Sequence, residues 1–447
     1  MELKILLPVG ARPNFMKAAA IVRAIEARNA GGQDRLSYRL VHTGQHYDYA
    51  LSGQILRDVN LPDPPINLGV GLLPSIRQIA EVMSQFSEVI ERERPDVVMV
   101  VGDVNSTLAC ALATAKAYLD NGSQHMKLPR PYLIHVEAGL RSFDRSMPEE
   151  VNRVLTDAVS DLCYITEPSA RRNLLAEDID GQRVIAVGNT MVDTLLLSLD
   201  SARALSIPEA LGLPYPHPRD MTTDEKHRRT NEPLRQQARF VDSYGVVTLH
   251  RASNVDCPDT LRDIMQALQE VAKELPLFFP VHPRTRQRLE ELSLTDGCHV
   301  LDGWPHGLPF NAGLYLLAPR GYVEFLRLLI DARIVLTDSG GIQEESTILD
   351  IPCVTLRNNT ERPITLEKGT NCLAGISREG ILKAARKQLD RPKHAKRIPY
   401  WDGKAGERIV RTLLRRIPFL PQCSSEPFRR LKRYRPSGQK TIKSRKS

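Results

Sequence analysis

The chain has 447 residues, of which 42% are hydrophobic and 26% are charged, and its formal net charge at pH 7 is +8. A chain of this length is too long for a single hydrophobic core, so it predicts two domains. No stretch approaches the roughly 20 apolar residues that span a membrane. The amino-terminal segment MELKILLPVG has neither the basic region nor the small-residue cleavage site of a signal peptide, which favours a first strand.

The positive charge is concentrated near the carboxyl terminus. Residues 429–447 contain nine Lys and Arg and no Asp or Glu, so the rest of the chain has a net charge of −1. A segment of this composition cannot build a core and predicts a disordered basic tail. Contact of the tail with nucleic acid or an acidic surface is the alternative, which its single tyrosine does not favour.

The seven cysteines are odd in number, scattered along the chain and never arranged as CxxC. They are residues 110, 163, 257, 298, 353, 372 and 423. This pattern argues against both a disulfide framework and a zinc site, and it predicts reduced thiols in a cytoplasmic protein.

Short apolar runs alternate with amphipathic segments along the chain. The first series of predicted strands is 4–7, 39–43, 97–101, 132–136, 162–166 and 184–188, and the second is 245–249, 277–281, 298–301, 334–337 and 352–356. A helical pattern is clearest in residues 76–95, where apolar side chains recur every three or four positions. This alternation predicts an α/β fold of parallel sheets covered on both faces.

The two series of strands are separated by residues 207–240, which are rich in proline and charge. This composition predicts an exposed insertion near a domain boundary, and a second polar insertion spans residues 120–130. We therefore predict two doubly wound domains, residues 1–190 and 191–400, with a cleft between them. Ligands of such sheets bind beyond the carboxyl ends of the strands.

Several predicted strands end in residues suited to binding or proton transfer. Arg12 and Lys17 follow the first strand in GARPNFMKAA, where a helix N-terminus with two cations suits an anion, and an ordinary strand–turn–helix is the alternative. Asp103 follows a strand in VVGDVNSTLA, where helix capping is the alternative. His250 and Arg251 end the first strand of the second series in VTLHRASN.

The segment HVEAGLRSFDRSMPEEVNR, residues 135–153, follows another predicted strand and holds four carboxylates and three arginines. Charge of this density indicates either a solvated loop or a functional site. Its position at the end of a strand favours the functional site.

The segment IVLTDSGGIQEES is the most specific local signal. A strand ends, Ser339, Gly340 and Gly341 turn, and a helix is predicted to begin near Ile342. The glycines allow a ligand to approach the backbone, and free N–H groups with the helix dipole attract phosphate. Glu345, one turn into the helix, could accept hydrogen bonds from ribose hydroxyls.

Two further residues in or near this segment are interpreted in the same way. Glu344 is interpreted as a first-turn capping acid, and NNTERP offers Arg362 as another cation for phosphate. The chain has neither the GxxxxGK[ST] of a P-loop nor the GxGxxG of a dinucleotide site, so we predict no nicotinamide cofactor. It also has no metal-ligand cluster in its sequence, so we predict no metal.

Together these motifs resemble those of the non-hydrolysing UDP-N-acetylglucosamine 2-epimerases. The matching segments, in family order, are GARPNFMKAA, TGQHYD, VVGDVNSTLA, HVEAGLRSFDRSMPEEVNR, VGNTMVDTLL, VTLHRASN, LTDSGGIQEES and NTERPIT. The resemblance implies the GT-B fold, in which two Rossmann-like domains hold the nucleotide sugar in the cleft. It also implies that a helix within residues 401–420 crosses back to the first domain and precedes the basic tail, residues 421–447.

The implied reaction is the reversible C2 epimerisation of UDP-N-acetylglucosamine to UDP-N-acetylmannosamine. A base removes the C2 proton while UDP leaves from C1, giving a glycal, and UDP then adds back with protonation of C2 from the other face. Acid–base groups on both faces require more than one carboxylate. By their position in the motifs, Asp103, Glu137 and Glu149 would be these carboxylates, and His250 would assist the departure of UDP.

The resemblance also assigns binding residues and a partner. Those that would hold the substrate are Arg12, Lys17, Phe325, Ser339, Gly340, Gly341, Glu345 and Arg362. Some bacterial relatives bind a second UDP-N-acetylglucosamine as an activator, for which Gln45, His46 and Arg251 are the candidates. The implied assembly is a homodimer.

Other residues of the motifs have supporting roles by the same resemblance. Arg141, Asn152 and Arg153 are expected to orient the charged segment rather than react. Phe325 would pack on the uracil side in APRGYVEF, where Arg320 is an unexpected side chain.

Other functional classes share parts of this pattern. A GT-B glycosyltransferase shares the glycine–glutamate phosphate and ribose site, but it does not need three carboxylates around C2. A hydrolysing 2-epimerase would release UDP and free N-acetylmannosamine. A non-catalytic binding protein is the third alternative, although every candidate catalytic residue of the motifs is retained.

The basic tail is expected to be dispensable for turnover, because it follows the helix that closes the fold and cannot bury a core. A chain ending at Gln422 should keep its kcat within about tenfold of the full protein, a difference of roughly 1.4 kcal/mol in barrier. A larger fall in steady-state rate would mean that the tail contributes to the active fold.

Overall fold

The computed structural model describes residues 2–32, 35–44, 49–71, 73–119, 129–211, 243–301 and 310–417. Gln45 and His46, most of the two predicted insertions, and the tail 421–447 lie outside these ranges. Inside them, no helix has the length and apolar character that a bilayer crossing needs.

Seven parallel strands of the described chain form the first sheet, in the spatial order β3-β2-β1-β4-β5-β6-β7. They are β1 Glu2–Val9, β2 Arg35–His42, β3 Ile66–Asn67, β4 Val97–Val101, β5 Tyr132–Val136, β6 Leu162–Ile165 and β7 Val184–Ala186. Every residue of β4 is buried, which explains its sequence VVMVV. The strand order reverses between β1 and β4, so the ligand crevice of this sheet opens between their carboxyl ends.

The second sheet repeats this plan, with seven described parallel strands in the order β10-β11-β9-β8-β12-β13-β14. They are β8 Gly245–Thr248, β9 Pro276–Pro280, β10 Cys298–Leu301, β11 Gly313–Leu317, β12 Ile334–Thr337, β13 Cys353–Thr355 and β14 Asn371–Leu373. Here the order reverses between β8 and β12, which places the second crevice at their carboxyl ends.

Helices cover both sheets. Those of the first half are α1 Arg12–Ala30, α2 Tyr49–Asp58, α3 Ser75–Glu93, α4 Asn105–Lys116, α5 Pro148–Val159, α6 Pro168–Ala176, α7 Thr190–Ala204 and α8 Ile207–Ala210. Those of the second half are α9 Ala252–Val255, α10 Pro258–Val271, α11 Pro283–Glu291, α12 Tyr322–Ile330, α13 Gly340–Leu349, α14 Pro363–Glu367, α15 Arg378–Asp390 and α16 Ala405–Arg416. The fold is therefore the predicted α/β arrangement of two Rossmann-like domains.

Each predicted strand is present, with shifts only at its ends, but three strands were not predicted. β3 and β14 have two and three residues, which is too short for a periodic signal. β11 is the apolar run GLYLL, and a short apolar run does not distinguish a strand from part of a buried helix.

The helix α16 returns to the first domain. It contributes Ile409, Val410 and Leu413 to the core under the first sheet. Gly406 allows α16 to approach α1, because a Cβ there would lie 2.3 Å from the carbonyl oxygen of Ala20. The carboxylate of Asp193 in α7 caps the start of α16 by accepting hydrogen bonds from the N–H groups of Ala405 and Gly406, at 3.1 and 2.8 Å.

An apolar cluster also joins the two domains beside the cleft. It contains Met16 of α1, Met191 and Leu195 of α7, and Tyr322 and Leu326 of α12. Burial of these side chains holds α1 of the first domain and α12 of the second against the connecting helix α7.

Candidate active site

An ion pair joins the two domains at the carboxyl ends of their strands. Glu137 follows β5 in the first domain and Arg362 follows β13 in the second, and their Oε1 and Nη2 atoms are 3.0 Å apart. The strand ends that carry the predicted motifs therefore meet in one cleft, where the topology of both sheets predicts a ligand.

Glu137 is held rigidly in this cleft. Its side chain is 2% exposed, and Oε1 also accepts a hydrogen bond from Lys17 Nζ at 2.7 Å. Oε2 has no hydrogen-bond partner among the described residues. The backbone of Glu137 has a φ of 75°, in the left-handed region that costs a residue with a side chain roughly 1–3 kcal/mol and that is often found at functional sites. One oxygen thus remains for a ligand.

Lys17 depends on a glycine to reach Glu137. Gly102, after β4, has a φ of 70°, and a Cβ there would lie 2.8 Å from the Lys17 ammonium nitrogen. A side chain at Gly102 would therefore be strained and would displace Lys17.

Asp103 lies beside the same cations. Its Oδ2 accepts a hydrogen bond from Arg153 Nε at 2.9 Å, and its side chain is 19% exposed. Burial raises the pKa of Asp103, but the charges of Arg153, Lys17 and Arg362 outweigh burial and lower it below the usual value. Asp103 is therefore an ionised carboxylate at neutral pH, in reach of solvent or a ligand.

The two adjacent glutamates at the start of α5 differ in environment. Glu150 is buried, accepts hydrogen bonds from the N–H groups of Ser142 and Phe143 at 2.9 Å, and pairs with Arg153. Glu149 is half-buried, and no hydrogen bond or ion pair of its side chain is found in the described structure. Glu150 therefore closes the charged segment, and Glu149 remains the candidate for chemistry.

The predicted supporting residues hold this segment in place. Asn152 donates from Nδ2 to the carbonyl oxygen of Asp103 at 3.0 Å. Arg141 binds the carboxylates of Asp157 and Glu177, at 2.7 and 2.6 Å from Nη2. These contacts orient the loop.

His250 forms a pair with a carboxylate that the sequence analysis did not single out. Its Nδ1 lies 3.0 Å from Oδ1 of Asp338, which is fully buried, while the imidazole is 50% exposed. Asp338 also accepts hydrogen bonds from the N–H groups of His250 and Arg251. The charge of His250 contributes to a lowered pKa of Asp338, against its burial. Because Nδ1 faces Asp338, Nε2 is the ring nitrogen available to a ligand.

Two arginines gather around another buried carboxylate. Glu361 lies 2.9 Å from Arg251 Nη2 and 2.8 Å from Arg357 Nη1. Despite its burial, the charges of Arg251 and Arg362 hold the pKa of Glu361 well below its usual range. A Cβ at Gly340 would lie 2.7 Å from Glu361 Oε1, so the cluster borders the start of α13. The sequence analysis did not predict Glu361 or Arg357 as residues of the site.

The helix α13 begins at Gly340, not near Ile342 as predicted. Ser339 takes the extended N-cap conformation, and its side chain makes no capping hydrogen bond. Both glycines are therefore inside the first turn, where backbone N–H groups and the helix dipole face an incoming anion.

The two glutamates of α13 face different partners. Glu344 is fully buried with an oxygen 2.7 Å from Arg362 Nε, so its interpretation as a first-turn capping acid was wrong. Burial raises the pKa of Glu345 to about 7, although the charge of Arg12 from the first domain opposes the rise. Oε2 of Glu345 is buried without a hydrogen-bond partner in the described structure, which leaves an acceptor for a hydroxyl.

Phe325 does not lie in the cleft as predicted. It is 6% exposed and packs with Phe278 and Tyr315 in the core between α12 and the second sheet. Its position in the fourth residue of α12 turns it toward the sheet, so a base contact would come from the turn before the helix. Arg320 lies in that turn, and its Nε is buried without a described partner.

Glu167, two residues after the end of β6, is a further buried carboxyl that the sequence analysis missed, because a Glu-Pro at a helix start indicates only a cap. Oε1 accepts a hydrogen bond from the Ser169 hydroxyl, and Oε2 has no described partner. Burial raises the pKa of Glu167 to about 7, against the Ser169 hydrogen bond and the charge of Arg362.

This shift predicts a pH-dependent stability. Because the pKa of Glu167 in the folded protein lies above 4.5, the associated stability is present below about pH 4.5 and is lost as the pH rises through about 7. Glu167→Gln, which stays neutral, should match the wild type near pH 4 and exceed its unfolding free energy near pH 8 by about 1–3 kcal/mol. Denaturant unfolding at both pH values, with the exposed Glu88→Gln as control, checks this. An equal difference at both values would contradict it.

The family model for UDP-N-acetylglucosamine 2-epimerase matches residues 29–414 of this chain. The UDP-N-acetylglucosamine 2-epimerase of Methanocaldococcus jannaschii is 38% identical over 418 residues, which cover 92% of this chain and 99% of the relative. The UDP-2,3-diacetamido-2,3-dideoxy-D-glucuronate 2-epimerase of Pseudomonas aeruginosa is 33% identical over 414 residues, with coverage of 92% and 99%.

Solved structures show the same similarity. The crystal structure of the Methanocaldococcus jannaschii UDP-GlcNAc 2-epimerase in complex with UDP-GlcNAc and UDP has a TM-score of 0.73 and 37% identity, covering 93% of this chain and 100% of that one. The enzyme from Neisseria meningitidis bound to UDP-GlcNAc has a TM-score of 0.72 and 26% identity, covering 92% and 100%. This chain therefore belongs to the UDP-N-acetylglucosamine 2-epimerase family.

Proposed function

We propose that this protein catalyses the reversible C2 epimerisation of UDP-N-acetylglucosamine to UDP-N-acetylmannosamine, with a glycal and bound UDP as intermediates. The observation that carries the proposal is Glu137, a buried carboxylate with one oxygen on Lys17 and Arg362 and the other without a described partner. Family membership, and the UDP-GlcNAc bound in the two crystal structures of relatives, support the substrate.

We infer an elimination because C2, which carries the acetamido group, has no adjacent carbonyl carbon that would make its C–H bond acidic. A base takes the C2 proton, the electron pair of that bond forms the C1–C2 double bond, and the C1–O pair leaves with UDP. In the second half UDP adds to C1 and a proton adds to the other face of C2. The steps balance without an oxidant or a reductant.

Asp103, Glu137 and Glu149 supply the proton transfers in this proposal. Asp103 and Glu137 follow the neighbouring strands β4 and β5, so they enter the cleft side by side. The low pKa of Asp103 keeps it ionised and able to accept a proton. Lys17 and Arg362 hold Glu137 and stabilise negative charge as UDP leaves.

The second domain holds the leaving group. Phosphate oxygens bind the N-terminal turn of α13 after Ser339, with the arginines around Glu361 as counter-charges. His250, oriented by Asp338 through Nδ1–H, donates from Nε2–H to the departing diphosphate as an imidazolium. Glu345, beside Arg12, accepts hydrogen bonds from the ribose.

We propose the homodimer that the family resemblance implies and the cytoplasmic location that the cysteine pattern predicts. Ile76 is 75% exposed and Met83, two turns further on the same side of α3, is 37% exposed, and these two apolar side chains support a homodimer. The free thiols of Cys110, Cys163 and Cys353 support a cytoplasmic enzyme. Sedimentation velocity distinguishes a dimer from a monomer. Arg251, already ordered by Asp338 and Glu361, remains the candidate contact to a second nucleotide.

Incubation with UDP-N-acetylglucosamine in deuterated water tests the proposal. Deuterium at C2 in recovered UDP-N-acetylglucosamine and UDP-N-acetylmannosamine supports it. Free N-acetylmannosamine would assign the hydrolysing reaction instead. Turnover only of UDP-2,3-diacetamido-2,3-dideoxy-D-glucuronate would assign the substrate named for the Pseudomonas aeruginosa relative.

Asp103→Asn, Glu137→Gln and Glu149→Gln should each lower kcat far more than UDP affinity. Each variant keeps size and hydrogen-bonding capacity but cannot transfer the proton, and general acid–base catalysis contributes on the order of 10²–10⁴-fold. Deuterium exchange, UDP affinity and melting temperature measured on the same variants separate chemistry from folding. Near-normal exchange with a lowered melting temperature in all three would mean that these carboxylates are only structural.

Asp338→Asn should lower kcat by about 10–100-fold while UDP still binds, because an amide lacks the negative charge that faces the imidazolium, the form in which His250 Nε2–H is a donor. Asp350 offers a matched control, since it forms a similar pair with His394 at 2.9 Å, at the other end of α13 and exposed to solvent. Asp350→Asn should leave kcat unchanged. Equal rates for both variants would remove Asp338 from the mechanism.

A further inference from the structure

A hydrogen bond joins α2 of the first domain to the start of α12 in the second. Oδ2 of Asp58, the last residue of α2, accepts from the backbone N–H of Tyr322, the first residue of α12, at 2.8 Å. The two residues are 264 positions apart in the chain. Their contact therefore exists only while the two domains are held together.

A second hydrogen bond, within α2, orients the carboxylate of Asp58 for this contact. Gln54, one turn earlier in α2, donates from Nε2 to Oδ1 of Asp58 at 2.6 Å. This leaves Oδ2 facing α12. Gly321 permits the approach, because a Cβ there would lie 3.0 Å from Oδ2 of Asp58. A helix N-terminus has unsatisfied N–H groups and favours negative charge, so the bond is charge-assisted.

A second carboxylate at the same helix start belongs to α12 itself. Glu324 accepts a hydrogen bond from the N–H of Gly321 at 2.8 Å. The helix thus has a cap of its own, and capping alone does not require a carboxylate from the other domain. What Asp58 adds is a tie between the domains.

The tied turn borders the candidate nucleotide site. Tyr322 packs with Met16 and Met191 in the cluster between the domains. Burial raises the pKa of Tyr322 well above its usual value, and the charge of the nearby Glu345 carboxyl adds to the rise. The same turn carries Arg320, the candidate contact of the base. The backbone that Asp58 holds therefore joins Arg320 to Tyr322, whose hydroxyl lies near Glu345, the candidate contact of the ribose.

We propose that Asp58 is a positioning residue that fixes the Arg320–Tyr322 turn against the first domain and thereby sets the affinity for the uridine part of the substrate. The inference rests on the proposed function. When the bond is absent, a smaller fraction of the protein has the closed, binding-competent cleft, and the apparent affinity falls in proportion to that fraction. Chemistry in the closed complex is unchanged, because Asp58 does not touch the reacting carbons.

The test compares Asp58→Ala, Asp58→Asn and Glu324→Ala in the full chain. For Asp58→Ala, the KM for UDP-N-acetylglucosamine and the Kd for UDP should rise about tenfold, equivalent to about 1.4 kcal/mol, while kcat at saturation changes less than about twofold. Asp58→Asn keeps an acceptor oxygen and should recover part of the affinity. Glu324→Ala removes a cap of the same helix without breaking the tie, so its melting temperature should fall while KM and Kd stay near the wild type.

Amide hydrogen exchange of the UDP-bound protein gives a second readout. The Tyr322 amide should exchange faster in Asp58→Ala than in the wild type, and Glu324→Ala should not reproduce that change. Equal rises of Kd in Asp58→Ala and Glu324→Ala, or no rise in Asp58→Ala, would overturn the inference. The UDP measurements separate it from the proposed function: absence of C2 exchange in the wild type would reject the reaction, whereas an unchanged Kd in Asp58→Ala would reject the tie.

Discussion

The ion pair between Glu137 and Arg362 is the contact on which the arrangement of the cleft depends. Arg362 also lies 2.7 Å from Glu344, and Glu137 binds Lys17, so four buried charges from both domains form one network. Burying such charges costs several kcal/mol per ion, which their attraction repays only when the geometry is good and the remaining polar atoms are satisfied. Here Glu137 Oε2 and Arg362 Nη1 have no partner among the described residues. A network with unsatisfied buried atoms is not expected to stabilise the fold by itself. Its geometry instead suits a site that binds a charged ligand.

The topology of the two sheets brings these charges together. In each sheet the strand order reverses once beside the first strand, between β1 and β4 and between β8 and β12. Residues that follow these four strands, together with those that follow β5 and β13, meet at one cleft, although the six strand ends are separated along the chain. The first domain supplies carboxylates with Lys17 and Arg153, and the second supplies a helix N-terminus with arginines. This division matches a reaction in which protons move on the sugar carbon while a diphosphate is held and released.

Several contacts outside the cleft hold the domains in this relation. The helix α16 packs into the first core under the cap of Asp193, and α7 buries apolar side chains against both domains. Asp58 adds a polar tie that is weaker than this apolar packing and lies nearer to the nucleotide site. A tie of this strength suits a cleft that must open for product release, since the apolar packing along α7 persists when a single hydrogen bond breaks.

The sequence by itself determined the α/β class, most of the strands, the family and the strand ends that carry chemistry. Apolar periodicity and glycine-rich turns are local properties, and motifs such as HVEAGLRS and LTDSGGIQEES keep their meaning without three-dimensional context. Only the tertiary structure decided which of several similar side chains enters the cleft, which forms an ion pair and which packs in the core. It showed that Glu150, not Glu149, closes the charged segment. It showed that Glu344 forms an ion pair with Arg362 rather than capping the helix, and that Phe325 lies in the core. It also brought Asp338 and Glu361 to the site and Asp58 to the start of α12, because partners separated by many residues meet only through packing, and no spacing along the chain encodes that distance.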